Sequence, residues 1–160
     1  MKTERKLMAH LINGTPNTES PTWERIGADL EELNIEMNAE VETTANILGE
    51  TSVKLAGYQP QASIEPYYAD PDTALSKLVQ GIVDGRKMLD EAKTDVLEVH
   101  LWEGNCSTGF TAYKESAIIE IVSYGGDTTG YQIPFNLHYL GDRVKGTYNM
   151  TTKTFTPAEA

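Results

Sequence analysis

The sequence predicts a mainly β fold (α+β): an antiparallel β-sandwich or barrel with one packed α-helix. Three observations predict it. Period-2 alternation of apolar and polar residues recurs along the chain. Only one stretch shows helical spacing of apolar residues. Clusters of Gly, Asn, Asp and Pro separate the alternating segments. At 160 residues, the chain is long enough for one domain with its own core.

The elements follow in order. Residues 1–21 read as an extended N-terminal arm, because Asn13-Gly14-Thr15-Pro16 and Ser20-Pro21 are turn and coil signals. Residues 22–160 then form a single domain, with Trp23 and Ile26 pinning the arm to it. A strand is expected from about Leu30 to Thr43. There Leu33, Ile35, Met37, Ala39 and Val41 alternate with Glu32, Asn34, Glu36, Asn38, Glu40 and Glu42. Such a strand has an apolar face on the core and an acidic face away from it. Residues 44–51 break the alternation and form a hairpin loop turning at Gly49. Thr51–Gly57 resumes as a strand with Val53 and Leu55 inward. Tyr58-Gln59-Pro60 is a corner, and Gln61–Tyr68 is extended.

The helix is read over 70–89. Asp70 suits the N-cap, Pro71 the first helical position, and Asp72 the positive end of the dipole. Leu75, Leu78, Val79, Ile82 and Val83 make its buried stripe, while Gly81 and Gly85 weaken its second half. The rest is strand. Val96–Glu103 places Leu97, Val99 and Leu101 on one face and His100 and Trp102 on the other. Phe110–Tyr124 is a long strand, and Gly125-Gly126-Asp127 a turn. Tyr131–Leu140 and Arg143–Met150 pair as a hairpin around Gly141-Asp142, and Thr154-Phe155-Thr156 is a last short edge.

Charge narrows the function classes. The chain has 24 acidic and 13 basic side chains, a net −11, which excludes a protein built to grip nucleic acid phosphates. Nine acidic residues and one basic one, Arg25, lie between Glu19 and Glu50, while the first ten residues sum to +2. Like charges on one strand face repel, so the acidic alternation costs folding energy unless another role needs it. No apolar stretch is long enough for a transmembrane helix, and Leu7–Ile12 is a poor secretion signal. These features fit a soluble protein made in a cytoplasm.

Chemistry is sparse. His10, His100 and His138 lack His or Cys partners at ligand spacing and read as structural. Cys106 is the single cysteine, in a flexible loop with no activating base nearby in sequence. Gly125–Gly130 lacks the Lys-Ser/Thr of a phosphate loop and joins two strands, so it reads as a hairpin turn. The expectation is no enzyme, no cofactor and no metal.

One set of motifs carries a resemblance. Trp23-Glu24-Arg25-Ile26-Gly27 precedes the acidic strand, and Asn46-Ile47-Leu48-Gly49 lies at the hairpin tip. Gly57-Tyr58-Gln59-Pro60-Gln61 leads into Pro66-Tyr67-Tyr68. Ser123-Tyr124-Gly125-Gly126-Asp127, Ile133-Pro134-Phe135, Gly146-Thr147-Tyr148 and Thr154-Phe155-Thr156-Pro157 follow. The arrangement resembles the major tail (tail tube) proteins of tailed phages and prophages of Gram-positive bacteria.

The resemblance implies a β-sandwich subunit made in the host cytoplasm. Such subunits form hexameric rings that stack into the hollow tube of a virion tail. It implies as partners further copies of the chain, a tape-measure protein, and tail-tip and terminator proteins. DNA passes through the lumen without specific binding, and no membrane is involved. Six copies of −11 make about −66 per ring, a lining that repels DNA phosphates and lets the genome slide. On this reading Glu36, Asn38, Glu40 and Glu42 face the lumen. Asn46, Ile47, Leu48 and Gly49 form an inter-subunit loop. Lys2, Arg5 and Lys6 are arm contacts to an acidic patch on a neighbour. Tubes of contractile tails or phage-like bacteriocins share these features. The alternative of another class is a monomeric β-sandwich ligand-binding module, presenting loops Gly104–Gly109 and Thr128–Gly130.

Overall fold

A computed structural model describes residues 1–158. Its strands are β1 Met8–Asn13, β2 Trp23–Ile26, β3 Ile35–Glu36, β4 Glu40–Ala45, β5 Thr51–Gly57, β6 Gln61–Ile64, β7 Lys93–Asn105, β8 Gly109–Ile121, β9 Gly125–Asp127, β10 Gly130–Gln132, β11 Phe135–Tyr139, β12 Val144–Asn149 and β13 Thr154–Pro157. One α-helix, α1 Ala74–Gly85, follows β6.

Every ladder is antiparallel. The main sheet runs β2-β1-β7-β8-β11-β6-β3, with β12 also on β8 and β13 on β12. It curls into a half-barrel. Alternation divides its two faces. Ile12, Val96, Ala117, Ile119, Leu137 and Ile64 point to the concave face, where α1 seals one end with Leu75, Val79, Ile82 and Val83. Ala9, Leu11, Leu97, Val99 and Ala112 point the other way, into a smaller cluster with Trp23 and Tyr148. The mainly β fold with one packed helix is as expected.

Several elements differ from expectation, each for a physical reason. Residues 8–13 are no arm. β1 pairs with β2 on one side and β7 on the other, with His10 opposite both Ile26 and Glu98. It is buried on both faces, so its side chains are mostly apolar without alternation, with His10 the one polar member before Asn13. The turn signals after it are real. Asn13 Oδ1 accepts from the backbone N–H groups of Thr15 and Thr22, closing the loop to β2.

Gly14 packs where that loop meets the helix. A Cβ there would lie 2.7 Å from Leu75 N and 2.8 Å from the Ala74 carbonyl carbon.

The helix starts later than expected. Thr73 is its N-cap, accepting from Ser76 N at 3.3 Å. Asp70 caps its own turn instead, accepting from Asp72 N at 3.0 Å, so Pro71 lies outside the helix. Arg86 ends it in the left-handed conformation.

The strand expected over 30–43 is interrupted at Asn38, which has a positive φ of 46°. Only Ile35–Glu36 joins the main sheet, and chain pairing resumes at Glu40 in a separate two-stranded ribbon. Val53 and Leu55 are therefore not inward. Gly125-Gly126-Asp127 is a strand rather than a turn; the turn lies between Asp127 and Gly130.

Gly141-Asp142 is not a hairpin turn either. β11 and β12 run in the same direction along one edge of β8, with Tyr139 opposite Ala117 and Val144 opposite Lys114. The residues between them bulge. Ser116 N donates to Asp142 Oδ1 and Gly141 N donates to Glu115 Oε2, both at 2.8 Å.

Candidate functional site

Two features stand out, and the first is the β4–β5 ribbon. Among the described residues it makes no ladder with the main sheet, and all of its own residues except Gly57 are exposed. Cross-strand partners share a face. Val41 sits opposite Leu55, Thr43 opposite Val53, and Ala45 opposite Thr51. That face is apolar, yet Val53 is 70% exposed. On the other face Glu42 sits opposite Lys54, and Thr44 and Ser52 share a 2.7 Å hydrogen bond.

The ribbon ends in a self-closed tip. Asn46 Oδ1 accepts from Leu48 N at 2.9 Å and Glu50 N at 3.0 Å. Asn46 N donates to Glu50 O, and Gly49 N to Asn46 O. Gly49 takes the left-handed φ of 80° that this turn requires. Ile47 and Leu48 are thrown outward, 102% and 77% exposed. The hairpin expected over 44–51 does turn at Gly49, but its loop is only 46–50, because Thr44 and Ala45 stay paired with Ser52 and Thr51.

The second feature is a pocket in the concave face, about 340 Å³, beyond the part sealed by α1. Ile12, Leu33, Ile35, Ala62 and Leu137 line its apolar wall, and Met37, Tyr58 and Pro60 at the ribbon's base also line it. Its polar end holds His10, Glu98, Glu115 and Arg143. Arg143 Nη2 donates to Glu98 Oε2 at 2.9 Å and its guanidinium lies 4.1 Å over the Tyr113 ring. His100 Nε2 lies 3.3 Å from Glu98 Oε1, and its ring stacks on Trp102 at 4.5 Å.

His10 is kept neutral. Burial, with the adjacent Arg5 guanidinium adding to it, pulls its pKa down to about 4. Arg5 Nη2 donates to His10 Nε2 at 3.1 Å, which requires that nitrogen to carry no proton. Tyr139 in the same wall has its hydroxyl pKa raised by burial, with Glu98 and Glu115 reinforcing the shift.

The sequence-predicted residues do not converge on one place. Glu36 lies on the outer face of β3, beside an acidic groove lined by Asp29, Glu31, Glu32, Glu65 and itself, with no cation in the lining. Asn38 sits at the corner and donates to Gln59 O at 3.0 Å. Glu40 and Glu42 are on the ribbon. The expected arm contacts also change. Arg5 is bound within the chain, to Met8 O, Leu33 O and His10, while Lys6 meets Glu4 at the surface. Loops Gly104–Gly109 and Thr128–Gly130 line neither pocket nor ribbon.

Sequence reasoning missed the pocket's polar end. Its members run from His10 to Arg143 across β1, β7, β8 and the bulge, so no spacing links them. The available signal was Glu98 and Glu115, each an acid inside an otherwise β-forming segment. Among the described residues no three His, Cys, Asp or Glu side chains gather as a metal site, and no helix is long and apolar enough to cross a membrane. No protein-family model matches the chain, and neither does any curated protein.

Proposed function

We propose that this protein is a structural subunit that self-assembles into hexameric rings, stacked as the hollow tail tube of a phage. The observation that carries the reading is the β4–β5 ribbon. An isolated two-stranded hairpin is marginal in water, and one with an exposed apolar face is an aggregation hazard. A lasting role for it is to be covered by another copy. The main sheet's edge strands β2 and β13 add further pairing edges. The acidic groove beside Glu36 supplies a wall that repels DNA phosphates. Lumen, tape-measure contact, tail-tip contact and location in the virion tail belong to this proposal, as does the absence of an enzymatic step. A contractile-tail or bacteriocin tube uses the same subunit logic.

Light scattering and negative-stain microscopy on purified protein test it. Rings or tubes of uniform width are expected. A strict monomer at high concentration and on long storage overturns it. Changing Glu36, Glu40 and Glu42 to Lys should slow DNA ejection while tubes still form; unchanged ejection removes these residues from the lumen.

The concave pocket favours one second reading, a monomeric module binding a small apolar ligand. Native mass spectrometry of a monomer carrying a retained apolar molecule would select it.

A further inference from the structure

We propose that the ribbon tip of one copy, Ile47 and Leu48, docks into the concave pocket of a second copy. The inference rests on the self-assembly reading above and names the contact that drives it.

The tip is prepared for burial. Asn46 satisfies the amides of Leu48 and Glu50, and Gly49 N bonds to Asn46 O. Removing this turn from water therefore leaves few backbone groups unpaired. The pocket is prepared to receive apolar groups. Its charges are already paired within the chain: Arg143 with Glu98, Glu115 with Gly141 N, and His10 with Arg5. An incoming side chain need not bring a polar partner, and the remaining wall is mostly apolar, aliphatic side chains with Tyr58, Tyr113 and Tyr139 among them.

A chain cannot fill its own pocket this way. Met37, Tyr58 and Pro60 line the pocket at the ribbon's base, and a six-residue strand carries the tip about 20 Å beyond them. Knob and hole are thus different surfaces of one molecule. Such a contact is heterologous; repetition closes it into a ring or extends it as a filament.

Charge selects the same landing place. The ribbon carries Glu40, Glu42 and Glu50 against Lys54. The pocket continues past His10, Ile26 and Leu33 into a groove with Arg5, Lys6 and Arg25. Pocket and groove together hold four cations (Arg5, Lys6, Arg25, Arg143) and four carboxylates (Glu31, Glu32, Glu98, Glu115). That is neutral ground in a chain of −11. The groove at Glu36 shares Glu31 and Glu32 with that ground but adds Asp29, Glu36 and Glu65 and no cation among the described residues, so it repels the ribbon instead.

Cysteine pairing on a Cys106→Ser background tests the contact. Protein carrying Leu48→Cys is mixed with protein carrying Met37→Cys and mildly oxidised. A mixed disulfide dimer is expected. Tip-to-tip dimers of Leu48→Cys alone, without the mixed species, overturn the proposal. In parallel, Ile47→Asp with Leu48→Asp should raise the concentration needed for assembly about a hundredfold or more. Circular dichroism should be unchanged, since both side chains are exposed. Normal assembly of that double variant sinks the docking but leaves the tube reading standing. A mixed disulfide in short open chains that never form tubes keeps the docking and sinks the tube. A wild-type monomer holding a small apolar molecule in the pocket overturns both.

Discussion

β7 and the β4–β5 ribbon present similar alternation, and the structure treats them oppositely. In β7, Leu97 and Val99 are buried under Ala9, Leu11, Ala112 and Tyr148. In the ribbon, Val41, Val53 and Leu55 are at least half exposed. The difference lies in neighbours. Val96–His100 of β7 is paired on both sides, by β1 and β8, and largely buried, while the strand's end from Trp102 is exposed. The ribbon has only its own two strands. Alternation therefore tells which face is apolar; it does not tell what covers that face. In the body the cover comes from the same chain, and the ribbon's apolar face is left exposed by the described residues.

Substitutions can sharpen that contrast. The largest effect is expected at Phe135, fully buried beside Tyr67 in the concave core. Phe135→Ala should cost about 3–5 kcal/mol in urea denaturation. A loss under about 1 kcal/mol there would put the body in the same class as the ribbon.

Acid comes next. His10 has a folded pKa near 4, against about 6.5 in an unfolded chain. As pH falls from 6.5 to 4, the unfolded state takes up a proton that the folded state does not. Stability should therefore drop over that window, by roughly 2–3 kcal/mol, and this contribution levels off below it. His10→Gln, which keeps an acceptor for Arg5, should flatten the slope between pH 6.5 and 4. An unaltered slope would show that His10 does not titrate as its surroundings require.

Gly14→Ala forces a Cβ into the Ala74–Leu75 backbone. A cost of about 1–3 kcal/mol is expected, with earlier thermal melting as the readout. The smallest effect on the isolated chain belongs to the ribbon. Val53→Thr and Leu55→Ser should each change monomer stability by no more than about 0.5 kcal/mol, while weakening assembly in light scattering. A large loss of monomer stability would mean that the ribbon is covered by its own chain after all.

Much of the body was legible from local pattern. β8 and the edge β13 sit close to their expected spans, and the faces of β7 follow its alternation. What stayed hidden depends on distant partners. Met8–Ile12 lacks alternation because both of its faces are covered, and its partner Val96–His100 lies far along the sequence. Gly141-Asp142 has hairpin chemistry. The chain instead continues along β8, because Glu115 and Ser116 hold the bulge. Asp70 and Thr73 are both competent caps, and local pattern did not separate them. At the candidate site the ribbon tip was legible, since Asn46 and Gly49 are turn residues by type. The pocket was not, because its charged members meet only when β1, β7, β8 and the bulge after β11 come together.

The wide sequence span of the pocket sets an order of events during synthesis. The ribbon is a local hairpin that closes in microseconds once its residues have emerged. The pocket's wall is incomplete until Arg143 has been made, nearly ninety residues after Tyr58. At about 5–20 residues per second, that leaves several seconds in which a growing chain has a knob and no hole. On the docking proposed above, nascent chains on one message cannot join to each other through unfinished pockets, whereas each can insert its tip into a finished copy nearby.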